Sequence, residues 1–405
     1  MNRTVKESST DATFQIACGF VAGAERVGMK PDGNDLAIIF SEAPAVVAGV
    51  FTKNRVRAAP VVYSSRIAAN GRARAIVANS GNANACTGQN GEDDVRAMAG
   101  EAATRLGIDP DEVIVASTGV IGVPLPIDSV CGGIRALCGN LSQHGIKDAA
   151  EAILTTDTVP KLASASFECA GAEATITGMA KGAGMIAPHM ATMLAFLTTD
   201  VAMDAGPLQS ALAAAVESSF NRITVDGDTS TNDMVVILAN GESHGKKIQP
   251  DSNDYEAFSS LLRELCQHLA RQIVLDGEGA TKFVEIAVRG AATDDDARAA
   301  ARTVAESLLV KTALFGGDPN WGRIMAALGR SGAEIDPGTV DVSLNEVQLV
   351  LRGEGVQETE GRAAEALRSD NVRITIVLEK GNCDSFVWTT DLSSEYVRIN
   401  AHYRT

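Results

Sequence analysis

No apolar run in the 405 residues approaches the 18 or so that a membrane-spanning helix needs, so no segment is expected to cross a bilayer. Lys and Arg form no block, and the formal net charge of -16 opposes nucleic acid and anionic membranes, both of which select for basic patches. A cationic substrate would be weakly attracted. The seven cysteines, Cys18, Cys86, Cys131, Cys138, Cys169, Cys266 and Cys383, include no CxxC pair and have no histidine at ligand spacing. Their odd number in a chain of this length points to reduced thiols in the cytoplasm, and no metal site is expected. Internal repeats, low-complexity tracts and long linkers are missing as well. The one early apolar run, residues 14–24, is broken by Gln15 and preceded by Glu7 and Asp11, so it reads as a first strand and not as a secretion signal.

What is present is enough apolar residue, 45% of the chain, to build two domains or one large layered one without disulfides. Residues 35–40, 46–52, 59–63 and 75–78 read as strands, and 79–88 (NSGNANACTG), which has no apolar periodicity, as a loop. A helix is expected over 91–106, a buried strand over 113–116, and helices over 128–141 and 148–154. Residues 162–169 and 174–179 form a hairpin around Gly171, and a strand follows from Met193. Further on come a helix from Asp204 or Ala205, a strand at 234–239, and the longest helix at 255–275, on which His268 reads as packing. A strand at 282–288 precedes a helix capped by Thr293, whose first turn, Asp294 to Asp296, suits a positive helix end. Asp318 and Pro319 cap the next helix; a hairpin (340–344 with 347–351), a helix (362–367) and a strand pair (372–378 with 385–389) complete the chain. The whole reads as a layered α/β protein, two sheets packed between helices.

Residues 181–200, KGAGMIAPHMATMLAFLTTD, join a flexible glycine-rich half to an apolar run suited to a buried strand. Thr192 stands at the joint, after the small Ala191. Glycines, proline and threonine in that order can simply make a loop that enters a strand. Alternatively, the threonine hydroxyl attacks the Ala191 carbonyl, shifts the acyl group from nitrogen to oxygen, and lets water cut the ester. The chain then restarts at Thr192. The freed α-amine, with a pKa near 8 against about 10.4 for lysine, is neutral in roughly a third of molecules near pH 7.5. One residue thereby supplies nucleophile and base, a known form of activated nucleophile.

Other places admit a plain and a functional reading. In DEVIVASTGVIG, residues 111–122, the strand empties into Ser117, Thr118 and Gly119, which is either an ordinary exit or a set of donors aimed at one point. In ILTTDTVPK, Thr155, Thr156 and Thr158 can cap, turn or bind. Lys181 beside glycines is ordinarily a solvated charge, and Glu278 between Gly277 and Gly279 ordinary turn chemistry. The stretch FNRITVDGDTSTND, with Asp226, Asp228 and Asp233, lacks the spacing and final Glu of a calcium loop, and reads as a structured polar loop. The tail EYVRINAHYRT, holding Asn400 and Thr405, would ordinarily fray.

Taken together, GMKPDGNDLAIIFSEAPAVVAGVFTKN, STGVIG, KGAGMIAPxMATML, FGGDPNWGRI and the terminal YRT resemble the ornithine acetyltransferase family, glutamate N-acetyltransferases of the cyclic arginine pathway. The likeness runs from about Phe14 to Thr405. Two departures stand out: His189 where the family usually carries Asn, and the Gly316-Gly317 pair where a polar residue is usual. The resemblance implies a layered αββα sandwich of the ornithine acetyltransferase/aminopeptidase kind with a smaller C-terminal α/β region. It also implies cleavage between Ala191 and Thr192 into chains 1–191 and 192–405 that interleave in one fold. Thr192 would be the nucleophile, Thr118 and Gly119 the oxyanion hole, and Thr155, Lys181, Thr192, Glu278, Asn400 and Thr405 the substrate contacts. The implied reaction moves an acetyl group from N2-acetylornithine to glutamate through an acetyl-threonine, giving ornithine and N-acetylglutamate. It would run without a cofactor, in the cytoplasm, in a heterotetramer of two chains of each kind. The motifs leave open acetyl-CoA as a second donor, and the alternative activity is an amidase or aminopeptidase on the same self-cleaving scaffold.

Overall fold

LAFLTT (Leu194–Thr199) and MVVILA (Met234–Ala239) are buried at every position, so the sheet they share must be covered on both faces. The computed structural model describes residues 6–7, 14, 16–187 and 193–402. In chain order, β1 (Lys6–Glu7), β2 (Phe20–Glu25), β3 (Leu36–Ser41) and β4 (Val46–Phe51) lead into α1 (Ala59–Ala69), β5 (Ala75–Asn82), α2 (Gly88–Leu106), β6 (Val113–Val120), α3 (Ile127–Leu137) and α4 (Ile146–Ala152). Next come β7 (Lys161–Cys169), β8 (Ala172–Lys181), β9 (Leu194–Thr199), α5 (Ala205–Glu217), β10 (Met234–Ala239) and α6 (Asn253–Leu275). The last third holds β11 (Phe283–Ala291), α7 (Asp294–Ala305), α8 (Leu308–Phe315), α9 (Trp321–Gly329), β12 (Asp341–Leu344), β13 (Val347–Leu351), β14 (Glu354–Gly355), α10 (Glu360–Ala366), β15 (Asn371–Val377), β16 (Cys383–Thr390) and α11 (Ser394–His402).

Among the described residues the strands form three sheets, ordered β1-β7-β8-β9-β10-β4, β2-β3-β5-β6 and β14-β13-β12-β15-β11-β16. One face of the first sheet, through Leu197, Val235 and Ile237, packs on Leu208 and Leu212 of α5 and Leu261, Leu265 and Leu269 of α6. Its other face, through Leu194, Phe196, Val236 and Leu238, meets Ile39, Ile76 and Ile114 of the second sheet. That second sheet turns Ile38, Val77 and Val115 outward onto Val95 and Met98 of α2 and Val130 and Ile134 of α3. Helices therefore flank two packed sheets, the αββα order expected. The third sheet has its own core, in which Val284, Ile286 and Ile374 pack against Val304, Ile324 and Leu328. Strands from both sides of residue 191 share the first sheet, with β9 and β10 lying between β8 and β4: β9 pairs antiparallel with β8, and β10 pairs parallel with β9 and antiparallel with β4. No helix among the described residues is long and apolar enough to cross a membrane.

Several local expectations need correction. Residues 59–63 begin a helix, not a strand: Pro60 sits in its first turn, and Val61, Ser64 and Ile67 recur every third residue on the buried side. The strand expected to stop at Ala78 runs on to Asn82, and its neighbour runs through Thr118 and Gly119. Each supplies the other's backbone partners, pairing Ser80 with Thr118 and Gly81 with Gly119, so polar and glycine residues stay extended. Residues 372–378 and 385–389 are strands but not a pair, because β11 lies between β15 and β16. Helix α8 was not anticipated. Asn320, not Asp318, caps α9 by accepting from the Arg323 N–H at 3.1 Å, whereas Thr293 does cap α7, accepting from the Asp296 N–H at 3.1 Å.

Phe196, 1% exposed in the layer between the two sheets, tests this packing. Phe196→Ala is expected to lower the unfolding free energy by about 3–5 kcal/mol in urea titration; a loss under about 1 kcal/mol would mean that the two sheets do not close on that ring.

Candidate active site

The ends of β5 and β6 lie unusually close. A Cβ on Gly119 would stand 2.3 Å from the carbonyl carbon of Gly81, and its φ of +132° is one that other residues rarely adopt. This approach leaves Thr118, 3% exposed, on the rim of a cavity of about 200 Å3. Lys181, at the end of β8, donates from Nζ to Thr118 Oγ1 at 3.3 Å and to Thr155 Oγ1 at 2.8 Å. Glu278 lines the same cavity; it is held by its own N–H to Ala183 O at 2.9 Å, and Asn400 of α11 donates to its Oε2 at 2.7 Å. Its carboxylate fills the space a Cβ on Gly184 would need, 2.3 Å away, which accounts for a second glycine.

Thr118, Gly119, Thr155, Lys181, Glu278 and Asn400 all line this one cavity, although they are spread over nearly 300 positions of sequence. Ala191, Thr192 and Thr405 lie outside the described residues, as does His189. What is described is the chain on either side of that stretch. Before it, Ile186 O accepts from Val225 N–H at 2.7 Å and from Thr224 Oγ1 at 2.9 Å. After it, Met193 N–H donates to Asp233 Oδ1 at 2.9 Å.

Sequence reasoning passed over three groups at this site. Asp157, quoted only as part of a threonine-rich turn, lies in the interior: its Oδ1 accepts from Lys161 Nζ at 2.7 Å and Gly182 N–H at 2.6 Å, while its Oδ2 lies 3.8 Å from Lys181 Nζ. Lys161 also reaches Asp276 Oδ2 at 2.6 Å. Asp226, set aside with its polar loop, accepts from the N–H groups of Met185 at 2.5 Å and Ile186 at 2.9 Å, and from the Tyr396 hydroxyl at 3.2 Å. Tyr396 lines the cavity from a tail that would ordinarily fray. The available signal was slight: Asp157 is a lone acid among hydroxyls, and Asp226 is one of three acids in a polar loop.

The charges are tuned by burial. Burial drives the Lys181 ammonium below the usual lysine range, with Asp157 the first of the groups that oppose it. For Asp157, burial would raise the pKa, but Lys181 and then Lys161 outweigh it and hold the carboxyl at about 2. Asp226 is pushed up to about 6 by burial, against its N–H donors. Chemically, the cavity offers a buried ammonium for a carboxylate, a carboxylate with an amide for an ammonium, and a hydroxyl and glycine N–H at a strand end for a developing oxyanion. Its size, below the roughly 300–1,000 Å3 of drug-sized sites, suits a single amino acid.

Because the folded pKa of Asp157 is depressed, its contribution to stability is present above the unfolded value of about 3.9 and lost as pH falls through about 2. Chemical denaturation of wild type and Asp157→Asn should therefore diverge by roughly 2 kcal/mol as pH rises from about 2 to 5, and stay parallel above that. Parallel curves across the whole range would show that Asp157 does not carry this charge.

Comparison with known proteins places this geometry in context. Residues 21–405 match the ArgJ family. The Arginine biosynthesis bifunctional protein ArgJ of Symbiobacterium thermophilum is 54% identical over 390 residues, covering 96% of this chain and 97% of its own length. Among solved structures, Arginine biosynthesis bifunctional protein argJ from Bacillus halodurans is 44% identical, covering 51% of this chain and 97% of that one at a TM-score of 0.49. Ornithine acetyltransferase from Mycobacterium tuberculosis, solved in complex with ornithine, is 38% identical, covering 46% of this chain and 98% of that one at a TM-score of 0.42. With the family pattern and a relative of this identity both spanning nearly all of it, the chain belongs to the ArgJ family of arginine-biosynthesis enzymes.

Proposed function

We propose that the cavity transfers an acetyl group from N2-acetylornithine to glutamate through an ester on Thr192, after the chain has cut itself between Ala191 and Thr192. The observation that carries the reading is the convergence on one cavity of about 200 Å3 of Lys181 with its partners Thr118 and Thr155, and of Glu278 with its partner Asn400. In the first half-reaction, Thr192 Oγ attacks the acetamide carbonyl. The Thr118 hydroxyl and Gly119 N–H hold the oxyanion, and the Thr192 α-amine takes the hydroxyl proton and returns it to the leaving ornithine nitrogen. In the second, the glutamate amine attacks the ester and the same steps run backwards.

Both amino acids carry an α-carboxylate, for which the Lys181 ammonium is the partner; the ornithine side-chain ammonium is matched by Glu278, steadied by Asn400. Thr155 and Thr405 complete the substrate contacts in this reading. Water has to be kept off the ester, or hydrolysis replaces transfer. The working unit would be a heterotetramer of two chains 1–191 and two chains 192–405, active in the cytoplasm without a cofactor. The description of the Symbiobacterium relative as bifunctional supports a second acetyl donor, for which acetyl-CoA is the candidate.

Mass spectrometry of fresh wild-type protein is expected to give two fragments, the second beginning at Thr192, and Thr192→Ala a single intact chain without acetyl exchange. Thr118→Val should reduce kcat by about 10²–10³ with little change in KM. Acetyl exchange undiminished in an intact chain would refute the mechanism, acetate release independent of glutamate would mark a hydrolase, and thiol release from acetyl-CoA in the presence of glutamate would establish the second donor.

A further inference from the structure

Asn232 lines this cavity at 4% exposure and has no part in the mechanism above. Its Nδ2 donates to two carbonyls, Ala83 O at 2.6 Å and Ser117 O at 2.8 Å, and its Oδ1 accepts from the Thr231 hydroxyl. Two carbonyls can be met only by an NH2 group, so the amide has one orientation, and both its N–H bonds are spent. What it has left to offer a substrate is a single lone pair. The side chain is therefore built to hold backbone, and the backbone it holds belongs to Ala83, just past β5, and Ser117, just before Thr118.

Those carbonyls sit where the second sheet needs support. Among the described residues β6 is its end strand, so one edge of β6 has no neighbouring strand. The Ser64 hydroxyl serves both main-chain groups of Val115 there, donating to its O at 2.7 Å and accepting from its N–H at 2.9 Å. Ser117, two residues on, faces the same way and has Asn232 as its partner; the alternation next brings Gly119 to that edge. Ser117 is held a second time by its hydroxyl, which donates to Asn79 Oδ1 at 2.6 Å. Ala83 N–H donates to Val120 O at 2.9 Å, so Asn232 and Ala83 together secure the residues on either side of Thr118 and Gly119. Asn232 itself is anchored in the first sheet, which carries Lys181: its N–H donates to Ser230 Oγ at 3.0 Å, and the next residue accepts from Thr52 N–H at 3.0 Å before β10 begins.

We infer that Asn232 is a positioning residue for the oxyanion donors, its amide clamping the ends of β5 and β6 so that the Thr118 hydroxyl and the Gly119 N–H keep their aim. This rests on the reading that Thr118 and Gly119 are those donors. Gripping Ser117 O fixes the plane of the peptide that ends in the Thr118 nitrogen, and only the torsions of Thr118 separate that plane from both donors. Aspartate at this position would keep the shape but turn an oxygen toward two carbonyl oxygens, replacing attraction by repulsion. A displacement of about 1 Å at a reacting centre can cost about 10²-fold in rate.

The test measures acetyl exchange between N2-acetylornithine and glutamate for wild type, Thr118→Val, Asn232→Asp and the double variant. N232D is expected to lower kcat by about 10²-fold and to leave KM within about threefold. Added to T118V it should cost under about tenfold more, because a clamp acts through what it holds, whereas independent losses would multiply. Should N232D not fold, Thr231→Val takes its place in the same cycle. It removes only the hydroxyl that orients the amide, with an expected kcat loss of about 3- to 10-fold that vanishes beside T118V. T118V impaired while the partner variant keeps full kcat overturns the inference alone. A rise in KM at constant kcat, or a multiplied loss, also overturns it, since either would put Asn232 on the substrate or elsewhere in the fold. T118V with full kcat overturns the oxyanion reading and the inference with it.

Discussion

Asp157 stands between two lysines that have almost no water to shield them, Lys161 at 0% exposure and Lys181 at 2%. Each charge taken out of water costs several kcal/mol unless a partner is held in good geometry, and here one carboxylate serves both, with Asp276 as a second partner for Lys161. The cluster ties together the turn after α4, the first residue of β7, the last residue of β8 and the turn that ends α6. Glu278 lies two residues beyond Asp276 in that turn. The Lys181 ammonium and the Glu278 carboxylate are thus placed by the same buried network, so a fault in it would displace both charges of the cavity together.

What could be read in the sequence was whatever local pattern decides. The hairpin around Gly171 shows in its alternation, α6 in its spacing of Phe258, Leu261, Leu265 and Leu269, and the cap of α7 in Thr293 ahead of three acids. What escaped was settled by neighbours distant in sequence. APVVY is as good a strand by composition as a helix start, and only the packing of Val61 and Ile67 into the core between the first two sheets decides it. Asn79 to Asn82 look like a loop until β6 is laid beside them. The separation of β15 from β16 by β11 has no local signature at all, because strand order is a property of the whole sheet.

The site shows the same division. Thr118, Gly119, Thr155, Lys181, Glu278 and Asn400 could be picked out by motif resemblance, and the fold gathers them round one cavity. Asp157, Asp226 and Asp233 could not, since an aspartate that will be buried is written with the same letter as one that caps a turn. Their environments differ sharply all the same. Two positive neighbours keep Asp157 ionised, N–H donors and a phenol surround Asp226, and Asp233 has no nearby charge strong enough to offset its burial.

The placing of β9 and β10 between β8 and β4 in the first sheet bears on how the molecule survives damage. Under the proposed cleavage, folding would come first, while the backbone is continuous and the search is made by one polymer. If the bond before Thr192 is cut as proposed, a molecule that unravels could recover only if two separate pieces met, which would make recovery depend on concentration and leave it open to aggregation. Durability would then reside in the barrier against coming apart, and the working life of the cut protein would be set by a rate and not by an equilibrium.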